Sequence, residues 1–171
     1  MRDTNRRSGR MTSRIFLLAS ALAALFLFPA NYNITGTGAA WTVSVGSYAD
    51  LIGGAGTNLK DAVESGTAQY VINIGGGPGS KTWQVDVRRD NTSWNGALTL
   101  SVKRTSDGTG PGTIAGGTNY IPIPVDPSYS VFFTGQETRD GINLQYQISG
   151  LTVTLGVHAF STTVTYTITT I

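Results

Sequence analysis

The feature that most constrains the fold of this chain is the alternation from Thr162 to Ile171. Val164, Tyr166 and Ile168 fall on one face of an extended strand, and Thr163, Thr165 and Thr167 fall on the other. A period of two belongs to a strand that is buried on one side and hydrated on the other. β-branched residues and tyrosine suit a pleated surface, so propensity and pattern agree. Such a strand has to pair, within the chain or with a neighbour.

The same alternation recurs upstream, in Trp41–Val45, Trp83–Arg88, Leu98–Lys103 and Ile142–Ile148. Tyr70–Ile74 is a short apolar run bounded by Gly75–Gly79, and Val131–Phe133 and Leu151–Leu155 complete the set of expected strands. Asn91–Gly96 reads as a hairpin connection, and Asp107–Gly117 as a glycine-rich loop. Tyr120–Val125 is extended, but Pro122 and Pro124 cannot donate to a ladder, which assigns it to a sheet edge. Only Asn58–Glu64, ahead of Gly66, has the composition of a helical turn. Short strands at this spacing predict an all-β antiparallel sandwich, because each amphipathic strand must hide one face. The expected inward set is Trp41, Val43, Ile72, Trp83, Val85, Val87, Leu98, Leu100, Val102, Ile142, Leu144, Tyr146, Ile148, Val164, Tyr166 and Ile168.

The other end of the chain bears on compartment. Arg2, Arg6, Arg7, Arg10 and Arg14 precede a run of 14 apolar and small residues, Ile15 to Phe28, broken only by Ser20. A spanning helix needs ~20 such residues. A basic segment, a short apolar stretch and a small residue describe a secretory signal peptide over residues 1–30, cleaved after Ala30 or, further on, after Ala40. The alternative is an uncleaved N-terminal anchor. The expected organisation is a signal peptide over 1–30, an N-terminal strand or donor-strand segment over 31–45, and a β-sandwich over 46–171. The mature protein is then secreted, extracellular or at the cell surface, with no stable membrane span after cleavage.

Five of the 12 Lys and Arg and one of the 10 Asp and Glu lie in residues 1–30, so the remainder has 7 basic against 9 acidic residues, a net charge of −2. No basic stripe is left to hold a nucleic-acid backbone, and nucleic acid is excluded as a partner. Cys is absent, which removes disulfides, thiol catalysis and cysteine metal sites together.

Catalytic motifs fail on inspection. Gly75–Thr82 resembles a phosphate loop, but Ser80 stands where glycine must precede the lysine, and a strand follows where a helix is needed. His158 is the single histidine, and no Gly-x-Ser-x-Gly accompanies it. Asp90, Asp107, Asp126 and Asp140 each sit in a turn context, and the strand parity of Asp86 points it outward. The expectation is a non-enzyme with no catalytic residues, no cofactor and no metal site. Aromatic residues offer a different chemistry. Trp94, Tyr129, Phe132 and Phe133 lie outside the clearest strands, and Trp94, in its polar turn, is the candidate for stacking on a glycan. The alternative for Trp94 is that it folds back over the end of the sandwich.

The ending His158-Ala159-Phe160-Ser161-Thr162-Thr163-Val164-Thr165-Tyr166-Thr167-Ile168-Thr169 resembles the closing strand of the spore coat U-like and archaic pilin-type domains, and the strand Ile142–Ile148 and the leader are compatible with them. The resemblance covers mainly residues 140–171, and this chain departs from many members in having no cysteine pair. It implies an immunoglobulin-like sandwich that is incomplete by itself and is completed by a strand from the next subunit's N-terminus. Residues 31–40 are compatible with that part: Tyr32, Ile34, Gly36, Gly38 and Ala40 share one parity, with Ile34 as the main apolar anchor. The alternative is that residues 31–45 are the first strand of a self-complete sandwich. The expected function is a structural or adhesive subunit that associates with itself or with other surface subunits. The alternative is a secreted carbohydrate-binding module that takes a glycan.

Overall fold

The computed structural model describes residues 13–17, 32–45, 50–53, 58–77, 81–156 and 158–171, the first of these by its backbone alone. In chain order the strands are β1 (Ser13–Leu17), β2 (Tyr32–Gly38), β3 (Trp41–Val45), β4 (Ala62–Glu64), β5 (Tyr70–Gly76), β6 (Thr82–Arg89), β7 (Thr99–Arg104), β8 (Ile114–Ala115), β9 (Ile121–Pro122), β10 (Ser130–Gln136), β11 (Arg139–Ser149) and β12 (Val164–Thr170). They form an all-β sandwich of two antiparallel sheets. The larger runs β2-β5-β11-β7-β9, with β4 also on β11, and the smaller runs β12-β6-β10-β8. β3 belongs to neither; it pairs antiparallel with β1, Leu17 opposite Trp41 and Ser13 opposite Val45.

Alternation builds the core. Each expected inward residue is buried except Ile168, which is partly covered and packs against the rest. Each fully buried large aliphatic side chain contributes about 1.5–3 kcal/mol. Aromatic rings join the layers. Tyr70 stacks on Tyr166 at 5.9 Å, Trp41 stacks on Tyr146 at 6.3 Å, and the Tyr146 and Tyr166 hydroxyls bond each other at 2.9 Å. That hydroxyl pair satisfies two polar groups which burial would otherwise leave stranded.

The short edge strand β9, at Ile121–Pro122, lies where the prolines place it. Four expectations need correction. Asn91–Gly96 is no hairpin: β6 lies in the small sheet and β7 in the large one, so the segment crosses between sheets. Residues 58–64 are not helical; Leu59 makes a bridge with Leu51, and Ala62–Glu64 is β4, held by Ile148 opposite Val63. A row of hydrogen bonds offered by β11 outweighs weak local helix propensity. Val153–Leu155 is a 3₁₀ turn rather than strand. Phe132 and Phe133 are both buried, because the register slips between Val131 and Phe133 and this bulge turns two consecutive rings inward.

The loop after β7 is glycine-rich for a steric reason. A Cβ at Gly108, Gly110 or Gly112 would stand 2.4, 2.4 and 2.5 Å from the carbonyl oxygens of Asp140, Thr138 and Gln136, so the loop can lie against the β10–β11 turn only without side chains. Among the described residues, no helix is long and apolar enough to cross a membrane.

Candidate functional site

The N-terminal strand and the slot that receives it form the most fully built feature among the expected sites. β2 lies at the edge of the large sheet, antiparallel to β5, with Tyr32 opposite Gly76, Ile34 opposite Ile74, Gly36 opposite Ile72 and Gly38 opposite Tyr70. It also contacts β12, at the edge of the small sheet. Burial follows the expected parity at the start of the strand: Tyr32 is buried, Ile34 and Gly36 are half-buried, and Asn33, Thr35 and Thr37 are exposed. Gly38 is exposed, and Ala40 lies beyond the strand, also exposed.

Tyr32, 5% exposed, is the anchor in this strand, ahead of Ile34. Its hydroxyl donates to the Lys81 carbonyl at 2.8 Å and accepts from the Glu137 amide at 3.2 Å. Its ring meets Trp83 edge-on at 6.4 Å and covers Gly77, where a Cβ would come within 2.5 Å of the ring. Glu137 has a φ of 58°, uncommon for a residue with a side chain. In that conformation its amide faces Tyr32 and its carbonyl accepts the Trp83 indole N–H at 2.8 Å. Backbone strain held by surrounding contacts is a common mark of a positioned site. Further along, the Tyr70 ring crosses the two glycines: a Cβ on Gly36 would lie 2.3 Å from the Tyr70 hydroxyl, and one on Gly38 2.5 Å from the ring. An aromatic ring laid over edge glycines restores the packing that they lack. Tyr32 escaped emphasis in the sequence because its partners, near residues 81 and 137, are far away in the chain.

Trp94 does not offer a stacking face. It is 9% exposed, its indole N–H donates to the Leu98 carbonyl at 2.8 Å, and the Arg89 guanidinium lies 5.1 Å from its ring centre. The crossing between sheets folds it over the sandwich end, where burying its apolar area outweighs exposure to a ligand. Phe132 and Phe133 are core residues. Tyr129 is different: 65% of it is exposed.

The ion pairs among the described residues, Arg88 with Asp126 and Arg104 with Asp107, each join a strand residue to a loop residue. His158 is exposed beside Phe160, ring centres 5.9 Å apart. Asp90 sits under opposing influences. Burial disfavours its charge, but hydrogen bonds from Thr163, Thr162 and Thr92 outweigh that and hold its pKa below the usual carboxylate value. Asp86 does point outward, as its parity requires, yet it is only 7% exposed. Burial raises its pKa, against a hydrogen bond of 2.8 Å from the Gln84 amide. Among the described residues, no three His, Asp or Glu side chains converge in a way that could hold a metal ion. No family model, curated protein or solved structure matches this chain.

Proposed function

We propose that residues 31–171 form a secreted or surface-displayed structural subunit that assembles head to tail by exchanging β2 between copies. The observation that carries this reading is the Tyr32 slot. All of its named contacts come from outside β2, and β2 reaches β3 through Ala39 and Ala40 alone. A strand so joined can fill its own slot or the same slot in a neighbour with identical contacts. A heterologous exchange of that kind does not close, so it extends into a filament. The Thr-rich final strand, which resembles the closing strand of pilin-type domains, supports the same reading. So does the pairing of β1 with β3, because removal of residues 1–30 on export would leave the outer edge of β3 open.

The test is the solution size and appearance, by light scattering and electron microscopy, of the chain from Asn31 onward. The expected result is a concentration-dependent series of assemblies. Deletion of residues 31–40 abolishes them, and so does Ile34→Asp, which would put a carboxylate against the core. A peptide of residues 31–40, added to the deletion variant, restores its thermal midpoint. A stable monomer at high concentration, with a deletion variant that only unfolds and does not respond to the peptide, overturns the proposal and makes β2 an ordinary first strand.

A further inference from the structure

The outer face of the small sheet carries a second feature, independent of β2. β6 is one of its two inner strands, and its outward residues are Gln84, Asp86 and Arg88. Opposite them on β12 stand Thr169, Thr167 and Thr165. On the other side Val131, 54% exposed, stands opposite Asp86. Residues directly opposite on an antiparallel pair share a face, so these side chains rim one surface. The surface is hollowed into a groove of about 250 Å³, lined by Asp86, Val87, Arg88, Tyr129, Thr167 and Thr169. The volume falls below the ~300–1,000 Å³ of sites that enclose a drug-sized molecule, so it suits one ring rather than an extended ligand.

The lining is selective by its chemistry. An anion would meet the Asp86 carboxylate on the floor. A metal ion would find one carboxylate and no cluster of ligands. The Arg88 guanidinium is already paired with Asp126, so it does not bring an uncompensated positive charge to the groove. What remains is a carboxylate that accepts hydrogen bonds, two exposed threonine hydroxyls that donate or accept, and an exposed tyrosine ring at the margin. We propose that this groove binds one neutral sugar ring, whose hydroxyls donate to Asp86 and bond Thr167 and Thr169 while its apolar face lies on Tyr129. A polyhydroxyl ring needs this combination of acceptor, mixed donors and a flat apolar surface. A buried charge-assisted acceptor is also stronger than a neutral one. The aromatic platform is therefore Tyr129, at the opposite extreme of exposure from Trp94.

The experiment is NMR titration of the purified protein with methyl α-mannoside, methyl β-galactoside and N-acetylglucosamine, each up to about 50 mM, with lysine methyl ester as a cationic comparator. The expected result is saturable binding of at least one sugar, with a dissociation constant on the order of 1 mM and shifts centred on residues 84–88, 129 and 167–169. Tyr129→Ala and Asp86→Asn each weaken that binding at least about tenfold, and Tyr120→Ala, just before β9 at the edge of the large sheet, leaves it unchanged. Tyr129→Ala removes an exposed ring and should leave the thermal midpoint near that of the wild type, which separates lost binding from lost folding. Three outcomes overturn the proposal: no sugar binds, binding survives both groove substitutions, or lysine methyl ester binds in place of the sugars.

Discussion

Tyr166 shows how much one position carries. It is 4% exposed, stacks on Tyr70, tilts against Phe132 and bonds the Tyr146 hydroxyl. Tyr166→Ala should cost about 3–5 kcal/mol in denaturant unfolding, as large-to-small aromatic changes do. Thr165→Ala, one residue away and half-buried on the outer face, should cost well under about 1 kcal/mol. Equal losses would place the wrong face of β12 in the core. Tyr166→Phe should cost about 1–3 kcal/mol, because it leaves the Tyr146 hydroxyl buried without its partner. Asp86 behaves in the opposite sense. Its folded pKa is raised by burial, so the folded state binds more protons than the unfolded state between the ordinary carboxylate value and the raised one. Stability therefore falls as pH rises through that window. Asp86→Asn should raise the unfolding midpoint at neutral pH, and the advantage should fade as pH falls toward the ordinary value. An advantage that persists unchanged at acid pH would mean that Asp86 is not desolvated. Asp90 contributes in reverse: its depressed pKa stabilises the fold above the ordinary carboxylate value, and that contribution is lost on acidification.

At the scale of single elements, β2 is the informative strand. Gly36→Val should unseat it, since a Cβ there meets the Tyr70 hydroxyl at 2.3 Å and the Tyr70 ring is held in the core by Tyr166. Limited proteolysis should then cut residues 32–38 while leaving β5 to β12 intact. Resistance equal to the wild type would show that Tyr70 can move aside. The strands with strict alternation were legible in the sequence because burial on one face is a local property of the pattern. The crossing after β6 was not, since a polar turn containing Trp94 serves a hairpin or a passage between sheets equally well. Neither was β4, whose partner β11 lies more than 80 residues onward at Gln147 and Ile148. The bulge at Phe132 hid two core rings for the same kind of reason: a period-two reading allows only alternate residues inward.

On the scale of the whole molecule, the two candidate sites belong to different sheets, although β12 neighbours both. The β2 slot lies at the edge of the large sheet, and the groove at Asp86 opens on the outer face of the small one. Assembly and ligand binding should therefore be separable, Ile34→Asp affecting the first and Tyr129→Ala the second. The sequence showed the alternation of β2 but not the depth at which Tyr32 sits, and it showed the outward parity of Asp86 but not its burial. Both properties depend on residues brought together from distant strands. The leader is expected to be removed, so N-terminal sequencing of the exported protein should give Asn31 first. Retention of Arg2 to Arg14 in the mature protein would refute that expectation.

The strand order has one more consequence. Among the described residues, no two consecutive strands of the main sheets pair with each other: β2 waits for β5, β5 for β11, β6 for both β10 and β12. Among the described residues, the local antiparallel pairing is the Leu51–Leu59 bridge, which lies outside the main sheets, so no hairpin of consecutive main-sheet strands starts the pairing. Loop closure over long separations has to come before the contacts that reward it, and folding should therefore fall in the roughly millisecond-to-second range typical of such topologies. During that interval the chain exposes unpaired edges and is open to the wrong partner. Stopped-flow refolding followed through the tryptophan signal should show this slowness directly, and refolding yield should fall as protein concentration rises.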